Sequence, residues 1–263
     1  MFKREMKVNL KNFIVWLSIL IGLFLVVFLI YPSIINSENM HMIDEMMEMF
    51  PKELLTAFNM DITAIDNAYG WLKSEGFVFV LLITGCYSAI LGSNILLKEE
   101  SDKTIEYLNS LPITRNKIIS NKVSSGLVYI FLMTIGLGIF NYIGLSISGN
   151  FDKLQYILLS ITPIFSSITI YFICMFISTF THKTKKMLGI SLGIVFISYV
   201  FQTLSTMSSS VEFLKYFSVF TLADIRNVIV DISINPLMVI ISFFISILFL
   251  ILTIIHYNKK ELI

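Results

Sequence analysis

Residues 13–31 read FIVWLSILIGLFLVVFLIY, a run with no charged side chain. At about 1.5 Å of rise per residue it covers roughly 28 Å as an α-helix, close to the ~30 Å hydrocarbon core of a bilayer. Pro32 marks its end. Working outward, equally uncharged apolar runs recur at 76–97, 123–147, 156–180, 187–207 and 236–257. The sequence therefore predicts an all-α membrane protein with six transmembrane helices. Composition agrees, because 56% hydrophobic against 14% charged residues leaves too little polar surface for a water-soluble fold. The first run spans the full bilayer and has no early small-residue cleavage site, so a retained helix is expected rather than a removable signal peptide.

A net charge of +1 gives no basic surplus for nucleic acid, and no nucleic-acid partner is expected. The distribution of charge says more. With the amino terminus in the cytoplasm, fourteen of the nineteen Lys and Arg residues fall on that side, leaving Lys52, Lys73, Lys153, Lys215 and Arg226 outside. The positive-inside rule thus places both termini in the cytoplasm. Lys greatly outnumbers Arg, and Ile and Asn are abundant, as in AT-rich genomes. The expected location is the cytoplasmic membrane of a bacterium.

The connecting segments carry their own patterns. Phe2, Met6 and Leu10 lie beside a stripe of Lys3, Lys7 and Lys11, which reads either as an amphipathic interfacial helix or as a basic flank of the first span. The external loop 33–75 is acidic. Met42, Met46, Met49 and Phe50, then Leu54, Leu55 and Phe58, predict two short amphipathic helices parted at Pro51. Its methionines read as packing side chains on an adaptable surface, with a Cu(I) thioether site as the competing reading. The external segment 208–235 holds Phe213, Leu214, Phe217, Val219 and Phe220, too apolar for a free loop, and predicts a re-entrant or interfacial element. No internal repeat or linker divides the chain, so 1–263 reads as a single transmembrane domain.

Several chemistries are disfavoured. None of the six runs contains Asp, Glu, Lys or Arg, so no proton or ion relay is evident. No phosphate-binding G-x-x-x-x-G-K-[ST] loop occurs. His41, His182 and His256 are scattered and read as lone surface residues, so no metal site is expected. Cys86 and Cys174 lie in apolar runs and read as buried hydrophobes. The chain is not expected to be an enzyme. Glu99 and Glu100 could suggest the paired glutamates of intramembrane prenyl-protein proteases, but the set of partner histidines that those enzymes need within the spans is missing.

The cytoplasmic loop 98–122 is the most patterned part of the chain: KEESDKTIEYLNSLPITRNKIISNK. Ile105, Leu108 and Leu111 form an apolar stripe, and Asp102 and Glu106, four apart, share another face. A short amphipathic helix ending at Pro112 is expected, with Thr114 capping the next span. This stretch resembles the signature of ABC-2 type permeases: acidic residues, then Thr-x-Glu-x-Leu, then Leu-Pro-x-[ST]-Arg and a later Lys. Glu99, Glu100, Thr104, Glu106, Leu108, Leu111, Pro112, Thr114, Arg115 and Lys122 take those places. The family usually has Gly before the threonine, where this chain has Lys103.

The resemblance implies a permease half that dimerises with a second copy or a paralogue. A separate ATP-binding subunit would drive it and hold the ATP and Mg, leaving no cofactor in this chain. The loop would serve as the coupling helix, with Glu99, Glu100, Thr104, Ile105, Glu106, Leu108, Leu111, Pro112 and Arg115 as the ATPase-coupling residues. Thr84, Ser88, Asn94, Asn141, Ser198 and Gln202 are candidates for a mildly polar substrate pathway, although small polar residues equally serve to hold helices together. Compact members without a large external domain resemble exporters of antimicrobial peptides and peptide antibiotics. Export of an amphipathic or hydrophobic substrate is therefore expected. The alternatives are drug or sodium efflux, or a non-transporting immunity or sensor protein that binds a cationic peptide at the acidic external loop.

Overall fold

The computed structural model describes residues 1–34, 45, 49, 67–105 and 112–260. The described residues form helices and connecting turns, with no strand among them. The long helices are α1 (Phe2–Ile34), α2 (Ala68–Ser101), α3 (Arg115–Ser148), α4 (Lys153–Ser178), α5 (Thr184–Met207) and α7 (Pro236–Lys259), and the short α6 (Arg226–Asp231) precedes the last. All six long helices have the length and apolarity to cross a membrane, in line with the sequence reading.

Local chemistry sets their ends. The Asn67 side chain accepts from the Gly70 N–H at 2.7 Å to open α2. Asp152 does the same for Leu154 and Gln155 at α4, and Asn235, followed by Pro236 in the first turn, for Leu237 at α7. Within α2, residues Leu72–Gly76 form one wide π turn, and α4 is interrupted at Thr162, just before Pro163.

The central pair is α2 against α4; α5 and α3 pack on α2, α1 lies on α3, and α7 lies on α4. Gly92 makes the central crossing possible, because a Cβ there would overlap the Tyr171 carbonyl oxygen. Peripheral helices turn large apolar side chains outward, among them Leu29, Ile139, Ile240 and Phe244, as a lipid-facing surface requires. At the end away from the termini, Tyr69, Tyr142, Phe151 and Tyr156 form an aromatic cluster. There the Tyr69 hydroxyl donates to Gln155 Oε1 at 2.9 Å, and Gln155 Nε2 donates to the Ile229 carbonyl, binding α6 to α4.

Several segments take forms that the sequence reading left open. The amphipathic amino-terminal segment is not a separate element but the first turns of an unbroken α1, continuous with the first span. Its polar face is also put to use, since Glu5 is buried and the Tyr129 hydroxyl donates to the Met6 carbonyl. Helices overrun the apolar stretches: α2 and α3 each have 34 residues, about 51 Å at 1.5 Å per residue, well beyond a ~30 Å core. The segment after α5 forms two 3₁₀ stretches, Ser209–Phe217 and Val219–Ala223. Phe213 and Phe217 are exposed on the first, whereas Phe220 of the second is buried against Gly85 of α2. The two helices expected around Pro51, and His41 with most of the methionine cluster, lie outside the described residues.

Candidate functional site

Where α2 leaves the bundle, its last turns carry Glu99 and Glu100. Both are buried rather than displayed on an aqueous loop. Successive residues on a helix point about 100° apart, so the two carboxylates face different neighbours.

Glu99 faces α3. Lys122 Nζ donates to both of its oxygens at 2.7 Å and to the Ile95 carbonyl at 2.7 Å, which accounts for all three ammonium protons. Glu5 of α1 adds a second carboxylate at 3.6 Å from the same ammonium. Glu100 faces the other way. It accepts from Lys260, just past α7, at 2.8 and 3.0 Å and pairs with His182 Nδ1 at 2.7 Å. Lys260 also donates to the Thr181 carbonyl at 2.9 Å, so the α4–α5 connection joins the cluster.

Arg115, the first residue of α3, closes the circuit. Its Nη1 donates to the carbonyls of Asn258 and Lys260 at 3.1 and 3.0 Å, satisfying acceptors that the end of α7 leaves unpaired. Asn258 Nδ2 donates to Asn116 Oδ1 at 2.8 Å beside it. The two ends of the α2–α3 loop are thereby fixed to α1, to the α4–α5 connection and to α7. A buried ion pair of this kind contributes little net stability compared with apolar packing, but removing one partner is costly, so it holds one arrangement strictly.

The end of α2 has a specific backbone geometry. Lys103 N–H donates to the Glu100 carbonyl and Thr104 N–H to the Glu99 carbonyl, with Lys103 at φ 56°. This is the Schellman helix stop, which favours glycine at the left-handed position. The family preference for Gly at that place therefore has a physical reason, and Lys103 adopts the conformation at a cost. Lys103→Gly is expected to stabilise the protein by about 1 kcal/mol, read as a raised thermal midpoint in detergent, with Lys103→Ala giving no gain. A Gly variant that unfolds at a lower temperature would refute this account.

The stop also changes the reading of the loop. Asp102 closes α2 ahead of the turn at Lys103, so it does not share a helix with Glu106 as the i, i+4 spacing suggested. Ile105 is buried against Ile118, with Met1 and Ile113 beside them, so the start of the apolar stripe packs on α3. Thr114 occupies the cap position of α3, but its side chain makes no capping bond. Ser101, Asp102, Lys103, Thr104, Pro112 and Lys117 are exposed. Glu106, Leu108 and Leu111 lie outside the described residues.

The six pathway candidates do not converge. Thr84 and Asn141 line a small cavity of about 30 Å³ between α2, α3 and α4. Thr84 donates to the Val80 carbonyl at 2.6 Å, while Asn141 Oδ1 has no hydrogen-bond partner among the described residues. The Ser88 hydroxyl is buried without a partner among the described residues, and Asn94 is half-buried. Ser198 and Gln202, on α5, hold the 3₁₀ segment: the Ser218 hydroxyl donates to the Ser198 carbonyl at 2.7 Å and the Thr221 hydroxyl to Gln202 Oε1 at 2.6 Å.

Gln202 also lines a much larger chamber of about 560 Å³ between α2, α5 and the segment leading to α6, at the end away from the termini. Two ion pairs belong to its wall. Lys215 donates to Glu212 at 2.6 Å and holds that carboxyl below its usual pKa, and Arg226 Nε donates to Asp224 at 2.7 Å. Sequence reading missed this chamber, and it missed Glu5, His182 and Lys260 as partners in the ion cluster. It took His182 for a lone surface residue, and His256 is not one either, since its ring lies 4.2 Å from that of Phe180. Of the partners that Glu99 and Glu100 find, only Lys122 carried a signal, as the later lysine of the signature.

Among the described residues no group of three or more His, Cys, Asp or Glu is disposed to hold a metal. Residues 1–262 match the profile of a family described as ABC-2 family transporter protein. A comparison with curated proteins gives no match.

Proposed function

The chain belongs to the ABC-2 transporter family, and from that premise we propose that it is the permease subunit of an ATP-driven exporter, coupled to its ATPase through the 99–115 segment. In this reading the nucleotide and its Mg bind a separate subunit, and a second permease, a copy or a paralogue, completes the membrane unit. The protein sits in the cell membrane with the ion-paired end, which carries both termini, facing the cytoplasmic ATPase. The cargo is amphipathic or hydrophobic, a peptide in the leading form of the proposal.

The observation that carries the coupling reading is the ion cluster around Glu99 and Glu100. A loop that merely connects two spans needs no buried charges at its base. Here the base of the loop is bonded to α1, α3, the α4–α5 connection and α7, so a displacement of the loop is passed to the bundle rather than absorbed. The roles divide accordingly. Glu99, Glu100 and Arg115 are positioning residues that transmit the movement, and the segment around Glu106 meets the partner.

The test uses the chain co-purified with its ATPase. Single cysteines at Glu106 and Asn109 are expected to crosslink to the ATPase, and Glu106→Arg is expected to cut ATP-driven transport at least about tenfold with membrane insertion intact, since reversing a charge at an interface typically costs more than 1.4 kcal/mol. Absence of both crosslinks, or full transport by the arginine variant, would remove the loop from the coupling path.

A further inference from the structure

The chamber between α2, α5 and the α5–α6 segment has the dimensions of a ligand site, since pockets for drug-sized molecules run about 300–1,000 Å³. Its walls differ in chemistry. Phe77, Leu81 and Phe220 supply an apolar side, and the polar residues Gln202, Thr203 and Thr206 line it from α5. The remaining part of the lining carries Glu212, Lys215, Asp224 and Arg226.

These four charges are balanced and arranged in two bonded pairs, Lys215 with Glu212 and Arg226 with Asp224. Both pairs line the same chamber, so a bound molecule meets them together. A ligand with a single net charge gains from one pair member and is repelled by the other. A ligand that carries both signs close together can meet complementary charges on both sides, as electrostatic complementarity requires. The apolar wall then takes its body.

We propose that this chamber is a cargo site and that it takes a small zwitterionic amphiphile, an apolar body bearing an ammonium and an anionic group. A short hydrophobic peptide with free ends and a single-chain phosphocholine share that chemistry. The proposal rests on the permease reading for its role as cargo, but binding itself needs no ATPase.

The experiment measures equilibrium binding to the full chain alone in nanodiscs of neutral lipid. The probes are a radiolabelled Leu-Leu-Phe tripeptide with free ends, the same tripeptide acetylated and amidated, and dodecylphosphocholine as a competitor below its micellar concentration. The free-ended tripeptide is expected to bind saturably and at least about tenfold more tightly than the blocked form, a difference of roughly 1.4 kcal/mol. Competition by dodecylphosphocholine assigns the site to zwitterionic amphiphiles of either source, and lack of competition restricts it to peptides. T206W, which fills the chamber from α5, is expected to abolish binding, and R226E is expected to remove the preference for free ends while leaving the thermal midpoint unchanged. No saturable binding, equal binding of blocked and free peptides, or undiminished binding by a folded T206W chain would overturn the proposal. Those results would leave the crosslinks at Glu106 and Asn109 untouched, so failure of the site and failure of the permease reading are distinguishable.

Discussion

Replacing Lys122 by methionine is expected to destabilise the protein by about 3–5 kcal/mol, because the change leaves the carboxylates of Glu99 and Glu5 buried together with no cation between them. Methionine keeps most of the lysine volume, so the loss reports charge rather than packing. Adding Glu99→Gln to the same chain should recover a large part of it, since the amide is neutral and can still accept and donate. Thermal unfolding in detergent and the fraction of chain that remains monodisperse are the readouts. An unchanged midpoint for Lys122→Met would show that the cluster is not a structural requirement. The converse substitution, Glu99→Gln alone, leaves a buried ammonium with Glu5 as its remaining carboxylate and is expected to be milder.

An effect of similar size is expected at Gly92. A Cβ there would overlap the carbonyl oxygen of Tyr171, and backbone cannot turn aside as a side chain can. Gly92→Leu must therefore drive α2 and α4 apart along the central crossing of the bundle. Overpacking in a core costs about 1–3 kcal/mol even where side chains yield, and obstruction by backbone should place this variant at or above the top of that range. Gly193→Ala on α5 is the matched control, since none of the described residues lies within 4 Å of its added carbon. There the better helix propensity of alanine is expected to stabilise the chain slightly, by no more than about 1 kcal/mol. Equal midpoints for the two variants would mean that the α2–α4 crossing is looser than its geometry indicates.

These expectations concern contacts that no local pattern announced. The loop 98–122 displayed its importance openly, in the spacing of Thr104, Glu106 and Leu108 and in Pro112 followed by Arg115. What it did not display was which way the charges faced. Glu99 and Glu100 read as part of a hydrated connector because charged residues flanking a span usually are hydrated. Their partners stand far away in sequence: Lys260 in the carboxy-terminal tail, His182 between α4 and α5, and Glu5 in the first turns of α1. Pairing of this kind depends on which helix ends meet, and that is decided by packing. The left-handed Lys103 is an intermediate case. The family preference for glycine pointed to a special backbone geometry, and the hydrogen bonds of the helix stop supplied the reason.

The chamber lay further from view. Gln202 appeared among the candidate polar positions, but Glu212, Lys215, Asp224 and Arg226 follow no motif in the sequence of the external segment. They become one group only when the 3₁₀ stretch folds back so that Phe220 reaches Gly85, fixing the segment over α2 and α5.

The sequence by itself determined the six membrane-crossing helices, the all-α class and the family, because an apolar run such as 13–31 has few alternatives once its backbone must satisfy its own hydrogen bonds in lipid. That is a local constraint, and local sequence expresses it. Tertiary structure alone decided that α2 and α4 form the centre, that Glu99 and Glu100 are buried at the base of the loop, and that a balanced group of charges lines a chamber. Those features depend on contacts between residues as distant as Glu100 and Lys260, and a hydropathy pattern carries no record of which helix faces which.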